Sequence, residues 1–383
     1  MKVLKTGLIV LLSLIAVVAI AAGILIWVVF TPEKLTPIVK NELAKMLTCE
    51  VQVNQVELTF FSTFPEFGLQ IDNFLLKNPM PGAPSDTLLS AERMVASVDI
   101  AALWKNNQVI VNELLLEQPN ISVYVDSTGR ANYDIMPPTP EDTTAFELPF
   151  DLLHLDKIKL ENANLSYRDD GMDMLLTLND LKAKIQMSMK GDLVEGNLTG
   201  ASKIFSFNWD KTDYLKNVPL ELETPFTFAV NEMKLQLEEG NLALNQLGFT
   251  VDAFIHNKPE EIYTDIAFIS DELEIKPVLD LLSLPFGEYL EGITMNGKTL
   301  VDGTLKGTIS DTQLPVFNLK LAFNEGNFAY EGLPYKLFDM SGKAEVAMDL
   351  NDDKKWFVKV DEFDGKTGKS HLLGDRKSTR LNS

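Results

Sequence analysis

The residues best able to do chemistry are few and scattered. His154, His256 and His371 lie far apart in sequence and in unlike contexts. A structural or catalytic metal site needs ligands at set spacings, as in HExxH or paired CxxC motifs, and neither motif occurs. Two acid pairs, Asp169-Asp170 and Asp352-Asp353, would suit general acid–base work or ion binding if they shared a cleft. Each stands beside a turn, where adjacent carboxylates are ordinarily solvated. No Gly-x-Ser-x-Gly elbow and no Walker-type phosphate loop is present. Cys49, the single cysteine, excludes a disulfide within the chain, and it follows a helical stretch rather than ending the apolar run as a lipid-attachment cysteine would. These residues predict no catalytic group, no metal and no cofactor. An envelope hydrolase would need acids that converge only in three dimensions.

Composition narrows the partners. The chain has 383 residues, 45% of them hydrophobic, enough for two or three domains or for one elongated sheet. Its formal charge is −21, from 55 acidic against 34 basic residues. Nucleic acid is excluded, because phosphates need a dense Lys/Arg surface and the basic residues here are dispersed.

The first thirty residues carry the sharpest signal. After Lys5, residues Gly7 to Phe30 hold no charge, and Gly7, Leu12, Val18, Ile24, Trp27 and Phe30 mark the length of the run. At 1.5 Å per residue this stretch reaches about 36 Å, enough for a hydrocarbon core of roughly 30 Å. Trp27 suits the head-group layer at the far end. The rival is a cleaved signal peptide ending near Ala19-Ile-Ala21, but the apolar run continues for nine residues beyond Ala21. The expectation is a tail over 1–5 and a membrane anchor over 6–30. Lysines lie on both sides of it, so charge alone does not set its orientation.

The elements that follow must position whatever the chain binds. Leu35 to Leu47 reads as an amphipathic helix with Leu35, Ile38, Val39, Leu43, Met46 and Leu47 on one face. It would either plug the membrane end of a β-structure or simply pack on its surface. From Val51 the hydrophobic period changes from 3.6 to 2, the pattern of strands with one dry and one wet face. Asp170-Gly171, Glu239-Gly240, Asn296-Gly297, Asp302-Gly303 and Glu325-Gly326 predict hairpin turns or bulges, and hence a largely antiparallel sheet. Pro137 to Pro149 reads as an acidic linker or loop between a first segment, 31–136, and a second, 150–375. Ile275 to Leu290 is helical, with Pro277 and Pro285 expected to break it into short pieces.

One motif repeats. Leu116-Glu-Gln-Pro-Asn-Ile-Ser-Val, Leu160-Glu-Asn-Ala-Asn-Leu-Ser-Tyr, Leu237-Glu-Glu-Gly-Asn-Leu-Ala-Leu and Phe323-Asn-Glu-Gly-Asn-Phe-Ala-Tyr align without gaps, their starts 44, 77 and 86 residues apart. The pattern suits a strand that turns or bulges at the small residue and resumes. Apolar positions on these strands form the candidate binding surface: Phe205, Phe207, Phe226, Phe228, Leu235, Leu237, Phe249, Val251, Leu319, Leu321 and Phe323. They would fill a sandwich core, or line one face of an open sheet.

In five places the chain resembles the AsmA family: the lysine-flanked span with its following helix; Phe60-Phe-Ser-Thr-Phe-Pro65; Leu115 to Asn120 with Gly129-Arg-Ala-Asn-Tyr-Asp-Ile135; Leu273 to Leu290 with Gly297–Gly307; and Leu314-Pro-Val-Phe317 running into Gly326 to Pro334. The resemblance implies a mainly β protein with an N-terminal transmembrane helix, a few short helices and a long, curled, antiparallel-rich sheet. That sheet is of the repeating β-groove type, akin to TamB and chorein-type bridge proteins. It implies an inner-membrane anchor, a periplasmic body in a Gram-negative cell, and phospholipid bound or conducted during outer-membrane biogenesis. The alternative is a scaffold for outer-membrane or other envelope proteins. Residues 376–383, basic after an acidic chain, depart from the family pattern and read as a structureless, non-native tail on a truncated frame.

Overall fold

The computed structural model describes residues 30–59, 67–98, 105, 111–137, 155–258, 261–310, 312–368, 370–374 and 377–380. The expected membrane span up to Val29, the Phe60–Pro65 motif, residues 138–149 of the linker and His154 lie outside these residues. Among the described residues no helix is long and apolar enough to cross a membrane.

Twenty strands form one sheet. They are β1 (Val51–Gln52), β2 (Val56–Thr59), β3 (Phe67–Lys77), β4 (Thr87–Val98), β5 (Val111–Glu117), β6 (Asn120–Val125) and β7 (Lys157–Asp169). Then come β8 (Met174–Lys190), β9 (Leu193–Trp209), β10 (Thr212–Ala229), β11 (Lys234–Leu244), β12 (Leu247–Lys258), β13 (Glu261–Ser270) and β14 (Leu273–Glu274). The last six are β15 (Ile293–Ile309), β16 (Val316–Tyr330), β17 (Leu337–Asp349), β18 (Phe357–Thr367), β19 (Ser370–Gly374) and β20 (Lys377–Arg380). Two α-helices, α1 (Pro32–Met46) and α2 (Ile275–Leu290), and a 3-10 turn over Asp353–Lys355 complete the described elements.

Most strands pair with their predecessor, because short turns deliver one beside the other. Asp210 and Lys211, with φ of 45° and 63°, make the two-residue turn that joins β9 to β10, as the twist of a hairpin requires. Every pairing is antiparallel except two. Strands β5 and β6 lie parallel to β7, so the chain re-enters the sheet at β7 in the direction it left at β6. This join brings the first two repeats side by side in register, Leu116 beside Leu160 and Asn120 beside Asn164. The Asn164 amide donates to Asn120 Oδ1 at 3.0 Å.

The repeat is a bulge. Its third residue takes a positive φ in all four copies: Gln118 (48°), Asn162 (55°), Glu239 (49°) and Glu325 (51°). The small residue after it (Pro119, Ala163, Gly240 or Gly326) is buried. A bulge adds one residue and so restores the same face to the apolar positions on either side of it. Asn73, Asp180, Asn217, Asp339 and Glu362 do likewise in β3, β8, β10, β17 and β18. Bulges bend strands and raise their twist, so long strands such as the 18-residue β10 curve.

Of the five glycine pairs, Asp170-Gly171 forms a turn and three others lie at bulges. Asp302-Gly303 does neither. It sits mid-strand, where Gly303 lies opposite Phe268.

Helix α1 starts at Thr31-Pro32 and continues through Pro37. Its apolar stripe seals the first strands: Leu35 is 0% exposed, and it shares a core with Val39, Val56, Leu69, Ile71, Phe74 and Leu76. Burying a side chain of this kind stabilises by about 1.5–3 kcal/mol. Phe30, the last residue of the expected span, belongs to the same core. Helix α2 is one 16-residue helix and not the broken pieces expected. Pro277 falls in its first turn, where a missing N–H costs nothing. The chain also stays helical through position 285.

Residues 377–380 are not structureless. They pair with β18 as β20, with Val358 opposite Thr379. An open edge offers main-chain partners that require no particular side chains.

Candidate apolar binding face

Residues directly opposite across a ladder share a face, so the registers can be followed from strand to strand. Phe205 faces Val218 on β10, and two-residue steps lead from there to Phe226 and Phe228. These stand opposite Leu237 and Leu235 of β11. Beyond the bulge, Gly240 meets Val251 and Leu242 meets Phe249. Val251 meets Phe268, Phe268 meets Gly303, and Gly303 meets Leu319, with Leu321 and Phe323 opposite Val301 and Thr299. Phe207 lies two residues beyond Phe205, opposite Leu176. All eleven candidate residues therefore share one face. Their neighbours Thr227, Gln236, Thr250 and Lys320 point the other way.

No second sheet covers this face among the described residues, whose strands form a single sheet. Only Phe205 reaches 9% exposure; the other ten keep part of their surface accessible. Helix α2 covers one patch, where Val278 and Leu281 pack with Leu247, Phe249, Phe268, Leu319 and Leu321. The helix also approaches β10 and β15.

The opposite face carries the charged pairs, along with exposed apolar residues such as Ile269 and Leu300. Lys306 pairs with Asp265 at 2.6 Å, Lys203 with Asp180 at 3.3 Å and Lys182 with Glu161 at 4.0 Å. A shallow cavity of about 620 Å³ spans β7 to β12, bordered by pairs such as Lys182 and Lys184, Thr199 and Ala201, and Glu221 and Glu223. Each pair brackets a residue of the apolar face that lines the cavity too: Leu160, Ala183, Gly200, Leu222, Leu242 and Phe249 form one row across the strands.

The residues first singled out for chemistry do not converge. His256 is half-buried on the charged-pair face of β12, and His371 lies 2.5 Å from Asp364 on the exposed β19. Asp169 Oδ1 accepts the N–H groups of Gly171 and Met172 at 2.9 and 3.0 Å, as a turn residue. Asp170 accepts from the Tyr124 hydroxyl and the Arg168 guanidinium, each at 2.6 Å, and these bonds hold its carboxyl below the usual range. Asp352 accepts from the Lys354 N–H at 3.2 Å. Burial pushes the Cys49 thiol up, away from the reactive thiolate. Among the described residues no three His, Cys, Asp or Glu side chains could hold a metal together.

The AsmA family model matches residues 1–224 of the 383. The chain belongs to the AsmA family. No curated protein and no solved structure matches it. Within the AsmA-matched region, the Gly129–Ile135 motif acquires a physical role that its sequence did not reveal. Asp126 accepts from the N–H and hydroxyl of Thr128 and from the N–H of Arg130. The Thr128 hydroxyl is the main reason its carboxyl lies far below the ordinary range. Gly129 turns the chain with a φ of 81°. Asn132 is then fully buried, accepting from the Tyr124 N–H at 2.9 Å and donating to the Ser122 carbonyl at 2.8 Å. Thr48, just after α1, donates its N–H to the Ile135 carbonyl at 2.7 Å. This AsmA motif thus hooks the end of β6 to the region sealed by α1. The resemblances at 273–290, 297–307 and 314–334 fall beyond the matched residues.

Proposed function

We propose that this AsmA-family chain is anchored in the inner membrane, with its body in the periplasm, and that its apolar face binds or conducts phospholipid acyl chains in outer-membrane biogenesis. One observation carries the reading: an in-register apolar face runs from β7 to β18, only partly covered, on a sheet with no second sheet against it among the described residues. Two acyl chains of roughly 30 methylenes together face about 24 kcal/mol on entering water, at about 0.8 kcal/mol per methylene. A dry protein face lowers that barrier without making or breaking a bond, so the role proposed is non-enzymatic.

Photocrosslinking from alternate strand positions tests it. A photoreactive residue at Leu235 or Leu237 should capture phospholipid in cells, whereas one at Gln236 should not. Equal labelling at all three positions would defeat the proposal. Capture of outer-membrane protein precursors in place of lipid would replace it with an assembly-factor role.

A further inference from the structure

Three phenylalanines of the apolar face stand opposite glycines on the adjacent strand: Phe226 opposite Gly196, Phe268 opposite Gly303, and Phe323 opposite Gly342. In each pair the far end of the ring occupies the place where a side chain on the glycine would begin. A β-carbon at Gly303 would stand 2.1 Å from Phe268 Cζ, and its nearest neighbours are all atoms of that ring. One at Gly342 would stand 2.8 Å from Phe323 Cζ; one at Gly196 would stand 2.8 Å from Phe226 Cε1 and closer still, 2.2 Å, to the Gln186 carbonyl, so backbone as well as ring fills that place. Strand side chains ordinarily rise from the sheet. A ring whose tip reaches the next strand at β-carbon height lies along the sheet instead.

We infer that these glycines are positioning residues that hold the three rings down, setting the clearance above the apolar face so that an unbranched acyl chain can lie across it. The inference rests on the acyl-chain reading above. Adding one methyl group removes the ring's resting place. The ring must then rotate upward and stand as a baffle across the path. The effect is steric and local, and deleting the ring should undo it.

Gly342 and Phe323 form the cleaner pair for a test, since α2 packs around Phe268. The full chain, carrying a photoreactive residue at Leu321, is incubated with vesicles of phosphatidylethanolamine and phosphatidylglycerol containing tritiated lipid. Gly342→Ala should lower lipid capture several-fold, Phe323→Ala should not, and the double variant should return capture to the parent level. Undiminished capture in Gly342→Ala would overturn the inference, as would a folded double variant that stays low. Gly303→Ala with Phe268→Ala, read at Val251, supplies the same comparison should Gly342→Ala fail to fold. A parent chain that captures no lipid at Leu321, Val251 or Leu235 would refute the acyl-chain reading itself, and the inference would fall with it.

Discussion

The sheet begins and continues with the same alternation, yet its two regions end differently. On β2 and β3, Val56, Leu69, Ile71, Phe74 and Leu76 lie beneath α1 and are at most 5% exposed. On β10 to β16, Phe226, Leu235, Leu237, Val251 and Phe323 follow the same pattern on the same face and stay partly accessible. Both regions bend at positive-φ residues, Asn73 in the first and Glu239 in the second. The contrast teaches that alternation specifies a dry face but not what covers it. A core and a candidate binding surface differ here by one helix.

The sharpest way to break this comparison is to shorten one side chain in each region. Leu35→Ala should cost about 2–5 kcal/mol of local stability, the usual loss for a sealed core leucine. Leu235→Ala should cost no more than about 1 kcal/mol, as for a partly exposed site. Native-state hydrogen exchange on β3 and β11 measures both, and equal losses would show that the second region is as sealed as the first. Next in size is the hook that ties β6 to the first region. Asn132→Ala strands the Tyr124 N–H and the Ser122 carbonyl, a cost of about 1–3 kcal/mol. Exchange should quicken at β6 and around Ile135 while β11 to β16 stay protected.

A smaller test asks whether both regions bend by one device. Valine is poorly tolerated at positive φ, so Asn73→Val and Glu239→Val should each cost about 1–2 kcal/mol. Thermal unfolding reads the effect, and a response at only one of them would mean the bulges are not equivalent.

The smallest effect is confined to the second region. Asn351 and Lys355 hold the Asp349 carboxyl down to about 2. Because the folded value is depressed, its contribution is present above the ordinary carboxylate value near 4 and disappears as pH falls towards 2. Carboxyl NMR should find Asp349 still ionised at a pH where exposed aspartates are half protonated. Amides near β18 should loosen on acidification before those of β3.

Much of this architecture was legible. The repeat announced its bulges because an extra residue leaves a skip in the apolar alternation, visible at Leu160, Ala163 and Leu165. The shared face of the eleven candidates followed from alternation as well. Other features depend on partners that sequence does not display. Asp302-Gly303 looks like a turn until the ring of Phe268 is found opposite it. The parallel join depends on where the chain re-enters the sheet, which no local pattern encodes. Residues 377–380 find a place because an edge accepts main chain regardless of side-chain pattern. Asn132 lay inside a motif noted for its resemblance, but burial, not composition, gives it a structural task.

Each strand pairs only with strands one or two places away in the chain. Such a molecule has little that is global to lose. Its cohesion is a sum of nearest-neighbour terms, so it should come undone like a zip from its free margin inward, one hairpin at a time. Heat or denaturant should then give broad, probe-dependent melting, with the part capped by α1 the last to yield.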